Sequence, residues 1–372
     1  MKKSDKSDVY FTDFKATPAE NLPQKLARLL RAAGMERIGA QNKFVAVKLH
    51  FGEPGNLAYL RANYARVVVD EVKKLGGRPF VTDCNTLYVG QRKNALEHLE
   101  AAYVNGYNPL TLGCHVIIAD GLKGTDEAAV PVNGEFVREA KIGRAVMDAD
   151  IVISLNHFKF HEQTGLGGAV KNLGMGCGSR AGKMEMHANG QPRIRAALCV
   201  ACGQCARNCA HGAISFVQKK AVIDSALCVA CGRCIGVCNA DAVVGRFNET
   251  NERLNRKIAE YALAVTQSRP HFHITLIRDV SPFCDCHSEN DRAVVPDIGM
   301  LASFDPVALD VAGADLVNAQ TPLADSLLGP LGLEAGGDYF TALHPTTDWR
   351  ACVEQAVKIG LGNRDYNLIR LD

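Results

Sequence analysis

The 372-residue sequence contains no run of about 18 apolar residues, so no membrane-spanning helix is expected. It also lacks an excess of charge of one sign. Lys and Arg number 42 against 40 Asp and Glu, a net charge of +2. That gives no global footprint for a nucleic acid or a membrane surface. The basic residues form no long stripe and aromatics make up only 6%, so nucleic acid is not an expected partner. The start, residues 1–8, is polar and mixed in charge, with no apolar h-region, and does not read as a secretory signal. Disorder and collagen-like composition are excluded, because 47% apolar and 22% charged residues suffice for a real core. At roughly 150 residues per unit, the length suggests two or three structural units.

Cysteine is what the sequence has in abundance, and its 14 copies are unevenly placed. Eight fall between Cys199 and Cys238, and six are spread over the rest. A disulfide scaffold would be short and secreted. Clustered thiols in a chain without a leader point instead to metal ligation in a reducing compartment, with the cytoplasm as the expected location.

The cluster is a ladder written twice. Cys199, Cys202, Cys205 and Cys209 are followed, 29 residues on, by Cys228, Cys231, Cys234 and Cys238. Both copies begin Leu-Cys-Val-Ala-Cys-Gly, at Leu198 and Leu227. Three thiolates two residues apart can wrap one corner of an iron–sulfur cube. Gly203 and Gly232 remove side-chain bulk where the backbone passes the sulfides. The fourth cysteine, three residues further on, reaches the other cluster. The expected ligand sets are therefore Cys199, Cys202, Cys205 and Cys238 for one [4Fe-4S] cluster, and Cys228, Cys231, Cys234 and Cys209 for the second. Zinc knuckles or buried free thiols are the plain alternative, but zinc ordinarily takes two well-separated ligand pairs.

Residues 192–246 resemble bacterial two-cluster ferredoxins. The proline usual after each fourth cysteine is replaced by Ala210 and Asn239, which removes no ligand. Between Gln191 and Arg246, seven basic residues face two acidic ones. With each oxidised cluster and its thiolates at about −2, the segment is close to neutral. The arginines either raise the cluster potentials or pair with the rest of the protein.

On both sides of this segment, strand and helix patterns alternate. Strands are expected at 44–51, 80–83, 116–119, 151–155, 272–278 and 298–302. Helices are expected at 57–75, 93–103, 135–147, 251–267, 306–317 (capped by Asp305, with Pro306 at its first position) and 349–359. The rhythm implies an α/β fold, a mostly parallel sheet with flanking helices, interrupted by a small ferredoxin-like α+β insertion. The expected organisation is a first α/β part at 1–190, a two-cluster insertion at 191–246 and a second α/β part at 247–372.

After the strand at 151 comes a stretch rich in glycine, histidine and lysine, His157 to His187. Glycine backbone lets a ligand come close, and Lys171, Arg180 and Lys183 can hold an anion. The stretch is neither a P-loop nor a dinucleotide fingerprint, and no flavin motif is evident. Gly165, Gly167, Gly168, Lys171 and Asn172 are the candidate cofactor-binding residues; a glycine-rich turn with solvated lysines is the alternative. His157-x3-His161, Gly165 to Asn172 and Gly174-Met175-Gly176-Cys177 resemble the family called domain of unknown function 362, often described as iron–sulfur centre proteins. Cys286 to Asp291 and Ser303 to Asp310 fit it too. The resemblance covers nearly the whole chain but implies no settled reaction. Gly167-Gly168 through Lys171 is also similar to the cofactor loop of nickel-pincer lactate racemase, whose activity is not carried over.

If the strands are parallel, their ends gather His50, Cys84, His157, His161, Cys177, Cys284, Cys286 and His287 on one rim. Such a set suits a transition metal or further cluster near Cys177, Cys284 and Cys286, or acid–base work on a substrate. His157, His161, Lys171, Cys286 and His287 are the candidate catalytic residues; buried thiols and satisfied histidines are the alternative. Cys114, Cys352 and His98 read as structural. Three functions stay open: a redox enzyme whose clusters exchange electrons with a small molecule at the rim, a carrier with no chemistry of its own, or a metal- or cluster-delivery factor. The first two require a redox partner protein.

Overall fold

The computed structural model describes residues 6–187 and 191–371. The expected boundary at 190/191 and the first five residues of the polar start lie outside the described residues. Eight strands form the main sheet: β1 (Ser7–Asp13), β2 (Phe44–Lys48), β3 (Arg78–Asp83), β4 (Val116–Ile118), β5 (Ile151–His157), β6 (His271–Ile277), β7 (Gly299–Ser303) and β8 (Tyr366–Arg370). Their order is β8-β1-β7-β6-β5-β2-β3-β4. Only β7 is reversed, running antiparallel to β1 and β6. Every other pairing is parallel. The expected mostly parallel α/β sheet is therefore present, with two further strands, β1 and β8, at one edge that sequence patterning left unread.

The central strands are apolar on both faces because both are covered. Val45, Val47, Ile151 and Ile153 pack under the helices Leu22–Ala32 and Ala62–Lys74. Ala46 and Val152 point the other way, into a core built with Ala169–Cys177, Asn251–Thr266, Pro306–Asn318 and Arg350–Lys358. Asp305 caps the third of these, accepting from the backbone of Val307 and Ala308 as its sequence implies. Two of these helices approach closely: a Cβ on Gly174 would lie 2.1 Å from the Ile258 carbonyl oxygen.

The expected helix at 135–147 is mostly absent. Residues Glu139–Gly143 form a strand paired with Glu127–Pro131, and only Arg144–Asp148 is helical. Buried Glu260, from Asn251–Thr266, supplies the reason. Its carboxylate accepts from the backbone N–H groups of Glu135 (2.8 Å), Phe136 (3.1 Å) and Val137 (2.7 Å), donors a helix would leave free at its start. The glycine-rich stretch is likewise no open loop. It forms a hairpin, Lys159–His161 with Gly165–Gly167, and then the helices Ala169–Cys177 and Arg180–His187.

Residues 193–244 add two small sheets of their own. Arg193–Ile194 pairs antiparallel with Val243–Val244, closing a neck. Ile214–Val217 pairs with Lys220–Ile223. The two cysteine ladders share one backbone shape: Ala201 and Gly203 take left-handed φ of 56° and 80°, Ala230 and Gly232 of 58° and 68°. Each glycine precedes one turn of helix, Gln204–Arg207 or Arg233–Gly236. No helix among the described residues is long and apolar enough to cross a membrane.

Candidate functional site

The strand order reverses between β2 and β5. Successive strands run outward from β2 in one direction and from β5 in the other, and the crevice at their carboxyl ends is where α/β sheets place ligands. Here a cavity of about 700 Å³ opens. Its floor is a set of buried charges delivered by the strand ends. Lys48, last in β2, bonds Asp83, last in β3, at 2.9 Å and the Asn172 side-chain oxygen at 2.7 Å. The Asn172 amide donates in turn to the Lys48 and Leu155 carbonyls, both at 3.2 Å, and to the Asn156 side chain at 2.8 Å, tying β2 to β5. Burial alone would raise the Asp83 carboxyl. The ammonium of Lys48, with the His98 ring 3.6 Å away, holds it well below the usual range instead. Buried Arg92 bonds Glu53 at 2.9 Å and the His50 ring at 2.9 Å. Burial lowers His50, and it holds His98 down to about 4.

Cys284-Asp285-Cys286 crosses this floor, fixed by its middle residue. Asp285 is fully buried; its carboxylate meets Lys159 Nζ at 2.7 Å, His157 Nδ1 at 3.3 Å and His50 Nδ1 at 3.4 Å. Its carbonyl accepts from the Glu53 backbone at 2.9 Å. The flanking thiols thus point together into the cavity, and the Cys284 and Cys286 sulfurs and a His161 ring nitrogen lie within 4.8 Å of one another. Burial would raise the Cys284 thiol. The neighbouring Cys286, the charges of Lys171 and Lys159 and the nearby His161 ring together hold it well below its ordinary value, and its sulfur also lies 3.6 Å from the Asp285 carboxylate. Cys286 is pushed well above by the neighbouring Cys284 and by burial. The pair keeps one proton.

The sequence-predicted residues divide by place. His157, His161, Lys171, Cys286 and His287 all line the cavity, as do Gly167, Gly168 and Asn172; Gly165 does not. His157 is part of the frame, with one ring nitrogen on Asp285 and the other 2.9 Å from the Arg278 carbonyl. His287 bonds Glu162 at 3.0 Å, which raises the histidine; against burial, His161 and this bond hold Glu162 down to about 2. Lys171 makes no hydrogen bond or ion pair with any described residue. Gly168 is glycine because a Cβ there would meet the Asp310 carboxylate at 2.2 Å. That carboxylate caps the following helix through Ala169 and Val170, so the helix start offered to an anion is occupied from within. Burial pushes Asp310 up to about 7. Cys177 is not beside Cys284 and Cys286. It lies under the floor, where its carbonyl accepts from Cys84 Sγ at 3.3 Å, and burial raises both thiols. Sequence reading missed Lys48, Asp83, Lys159, Glu162 and Asp285. Lys48 and Asp83 had a signal, each a charge closing an apolar strand, and Asp285 stands between two cysteines.

Beside this site, the eight ladder cysteines sort into two apolar hollows. One is lined by Cys199, Cys202, Cys205 and Cys238, the other by Cys209, Cys228, Cys231 and Cys234. Backbone N–H groups of Ala221, Ala213 and Ala242 point at the sulfurs of Cys199 (3.3 Å), Cys209 (3.4 Å) and Cys238 (3.3 Å). The segment is joined to the cavity wall. Leu87, which lines the cavity, packs with Met184, Cys205 and Cys234. Buried Arg180 donates to the carbonyls of Thr86 (3.0 Å), Lys123 (3.1 Å) and Lys93, and a Cβ on Gly232 would meet its side chain at 2.7 Å. Lys93 bonds Asp241 at 2.6 Å, and Lys123 bonds Asn208 at 2.6 Å.

Against known proteins, the profile of a domain of unknown function, DUF362, matches residues 45–315. A thylakoid-associated protein of Synechocystis sp. is 28% identical over 124 residues, 33% of this chain and 35% of that protein. Among solved structures, the lactate racemase apoprotein of Thermoanaerobacterium thermosaccharolyticum aligns at 9% identity and TM-score 0.43, over 84% of this chain and 58% of that one. A Thermotoga maritima protein aligns at 11% and 0.40, over 78% and 57%. The chain thus spans about a third of the curated relative's length and under three-fifths of each structure's.

Proposed function

The chain belongs to the DUF362 family, and from that premise we propose that it is an iron–sulfur redox protein whose two [4Fe-4S] clusters exchange electrons with the sheet-end cavity. Cys199, Cys202, Cys205 and Cys238 hold one cluster; Cys228, Cys231, Cys234 and Cys209 hold the other. The observation that carries this reading is the crossing of the repeats. Each hollow takes three cysteines from one ladder and the fourth from the other, the ligand pattern of two-cluster sites. The N–H groups aimed at three of the sulfurs fit ligands that carry negative charge. When bound, each cluster supplies one-electron transfer. Residues 191–246 form the cluster unit, and 1–190 with 247–372 form the α/β body that carries the cavity.

The cavity favours an oxidoreductase acting on a small molecule over a bare carrier. A carrier has no use for a facing thiol pair, a lysine without a partner among the described residues and a ring of charges at strand ends. All 14 cysteines are free, which suits the reducing cytoplasm, and electrons would come from or go to a separate redox protein.

The test is anaerobic purification with iron and sulfide analysis. About eight of each per chain are expected. Cys205→Ser and Cys238→Ser should abolish one and the same cluster signal in electron paramagnetic resonance, and Cys209→Ser and Cys234→Ser the other. Colourless protein holding zinc would reject the reading. Full cluster content, with reduction kinetics unaltered by any cavity ligand in wild type and Lys171→Ala alike, would reduce the protein to a carrier.

A further inference from the structure

Two clusters that each pass one electron match a partner that takes two. We propose that Cys284 and Cys286 are a redox-active dithiol that reduces low-molecular-weight disulfides carrying a carboxylate; this rests on the cluster reading for its electrons. Three observations support it. The sulfurs face each other in a 700 Å³ cavity, held by the buried carboxylate of Asp285 between them. Lys171, with no partner among the described residues, supplies an unspent positive charge beside them, suited to a thiolate and to an anionic substituent. His161 is set to donate rather than to ligate. Its Nδ1 accepts from the backbone N–H groups of Gln163 (3.1 Å) and Thr164 (3.3 Å). With Nδ1 occupied as an acceptor, Nε2 is the nitrogen left to donate, and a His161 ring nitrogen lies within 4.8 Å of the Cys284 and Cys286 sulfurs. A metal-binding histidine has the opposite arrangement, with the distal nitrogen donating. The trio so close together is thus better matched to a stabilised thiolate than to a metal.

The chemistry balances. The Cys284 thiolate attacks one sulfur of the substrate, R–S–S–R; that bond breaks, Cys284–S–S–R forms, and R–S⁻ leaves, taking the Cys286 proton. The Cys286 thiolate attacks the Cys284 sulfur, closing a Cys284–Cys286 disulfide and releasing the second R–S⁻, which is protonated by solvent. One electron from each cluster and one proton then restore the Cys284 thiolate and the Cys286 thiol. An external one-electron carrier of low potential recharges the clusters. Such clusters extend to potentials below those of dithiol–disulfide couples, so the flow runs downhill.

The probe is 5,5′-dithiobis(2-nitrobenzoate), a dicarboxylate disulfide whose product absorbs visibly, added anaerobically to the holoprotein. Wild type should release two thiols per chain more than the double variant Cys284→Ser/Cys286→Ser. Its peptide bearing both residues should be recovered with an internal disulfide. Cys286→Ser should release one and retain the adduct on Cys284. With photoreduced clusters, the probe should restore the oxidised cluster absorption in wild type and not in Cys286→Ser. Equal release by wild type and the double variant would overturn the proposal. So would a non-cluster metal bound stoichiometrically and lost with either serine. If iron and sulfide are complete and these thiols inert, only the dithiol fails. If the exchange proceeds on a chain without iron, it is the cluster reading that fails.

Discussion

The cysteine segment and the sheet-end cavity are built on opposite plans. In the segment, residues 193–244, the chemistry lies close in sequence and the packing is thin. Of the ten buried residues described in its core, four are cysteines, and two more, Leu87 and Met184, come from the α/β body. In the cavity the packing is deep and the chemistry is scattered. Lys48, Asp83, His157, Asn172 and Asp285 meet only because the sheet is complete. A site made of neighbours in sequence leans on its ligand for order. A site made of strangers leans on the fold.

The sharpest way to break this contrast is to remove the metal. Chelating the iron should leave amides across residues 193–244 exchanging as unstructured chain, while β2, β3, β5 and β6 keep their protection in hydrogen–deuterium exchange. Loss of protection in those strands would show that the two regions fold as one. The converse perturbation is Lys48→Met, which leaves Asp83 buried without its ammonium. It should cost about 3–5 kcal/mol in denaturant unfolding, with iron content unchanged at low denaturant. A loss below about 1 kcal/mol would mean that Arg92 already balances Asp83.

Acid should act on the cavity side as well. His98 is held neutral by burial, down to about 4 against an ordinary 6.5. Its contribution is therefore complete above 6.5 and lost as pH falls toward 4, about 3 kcal/mol in all. In His98→Phe that part of the pH dependence should vanish from denaturant midpoints measured between pH 7 and 5. An unchanged slope would assign the acid sensitivity elsewhere. The smallest effect belongs to the junction. Lys93→Ala removes a pairing to the partly exposed Asp241, and should shift stability by about 0.2–1 kcal/mol with no loss of iron. A measurable loss of iron would mean that the junction helps hold a cluster.

The same contrast explains what could be read from sequence. The cysteine ladder was legible because its spacing is local and was written twice. The central strands and the capped helix at Pro306 were legible from apolar runs and an Asp-Pro start. The convergence of His50, Cys84, His157, His161, Cys284, Cys286 and His287 followed from a single assumption, that the strands are parallel. What escaped was non-local. The helix expected at 135–147 yielded to Glu260, a carboxylate more than a hundred residues away that claims its first N–H groups. Gly168 looked like an anion cradle, and nothing nearby in sequence announces that Asp310 fills it. Edge strand β8 has no apolar run to betray it, since its side chains are only partly covered.

The antiparallel neck at Arg193–Ile194 and Val243–Val244 brings the departing and returning chain side by side. Seen from the sheet, everything beyond that clasp is a loop whose ends are already tied. The entropy of closing such a loop grows only with the logarithm of its length. Lengthening or shortening the appendix away from its contacts with Leu87, Arg180 and Lys93 therefore asks little of the body beneath it, and nature or an engineer can refit one without redrawing the other.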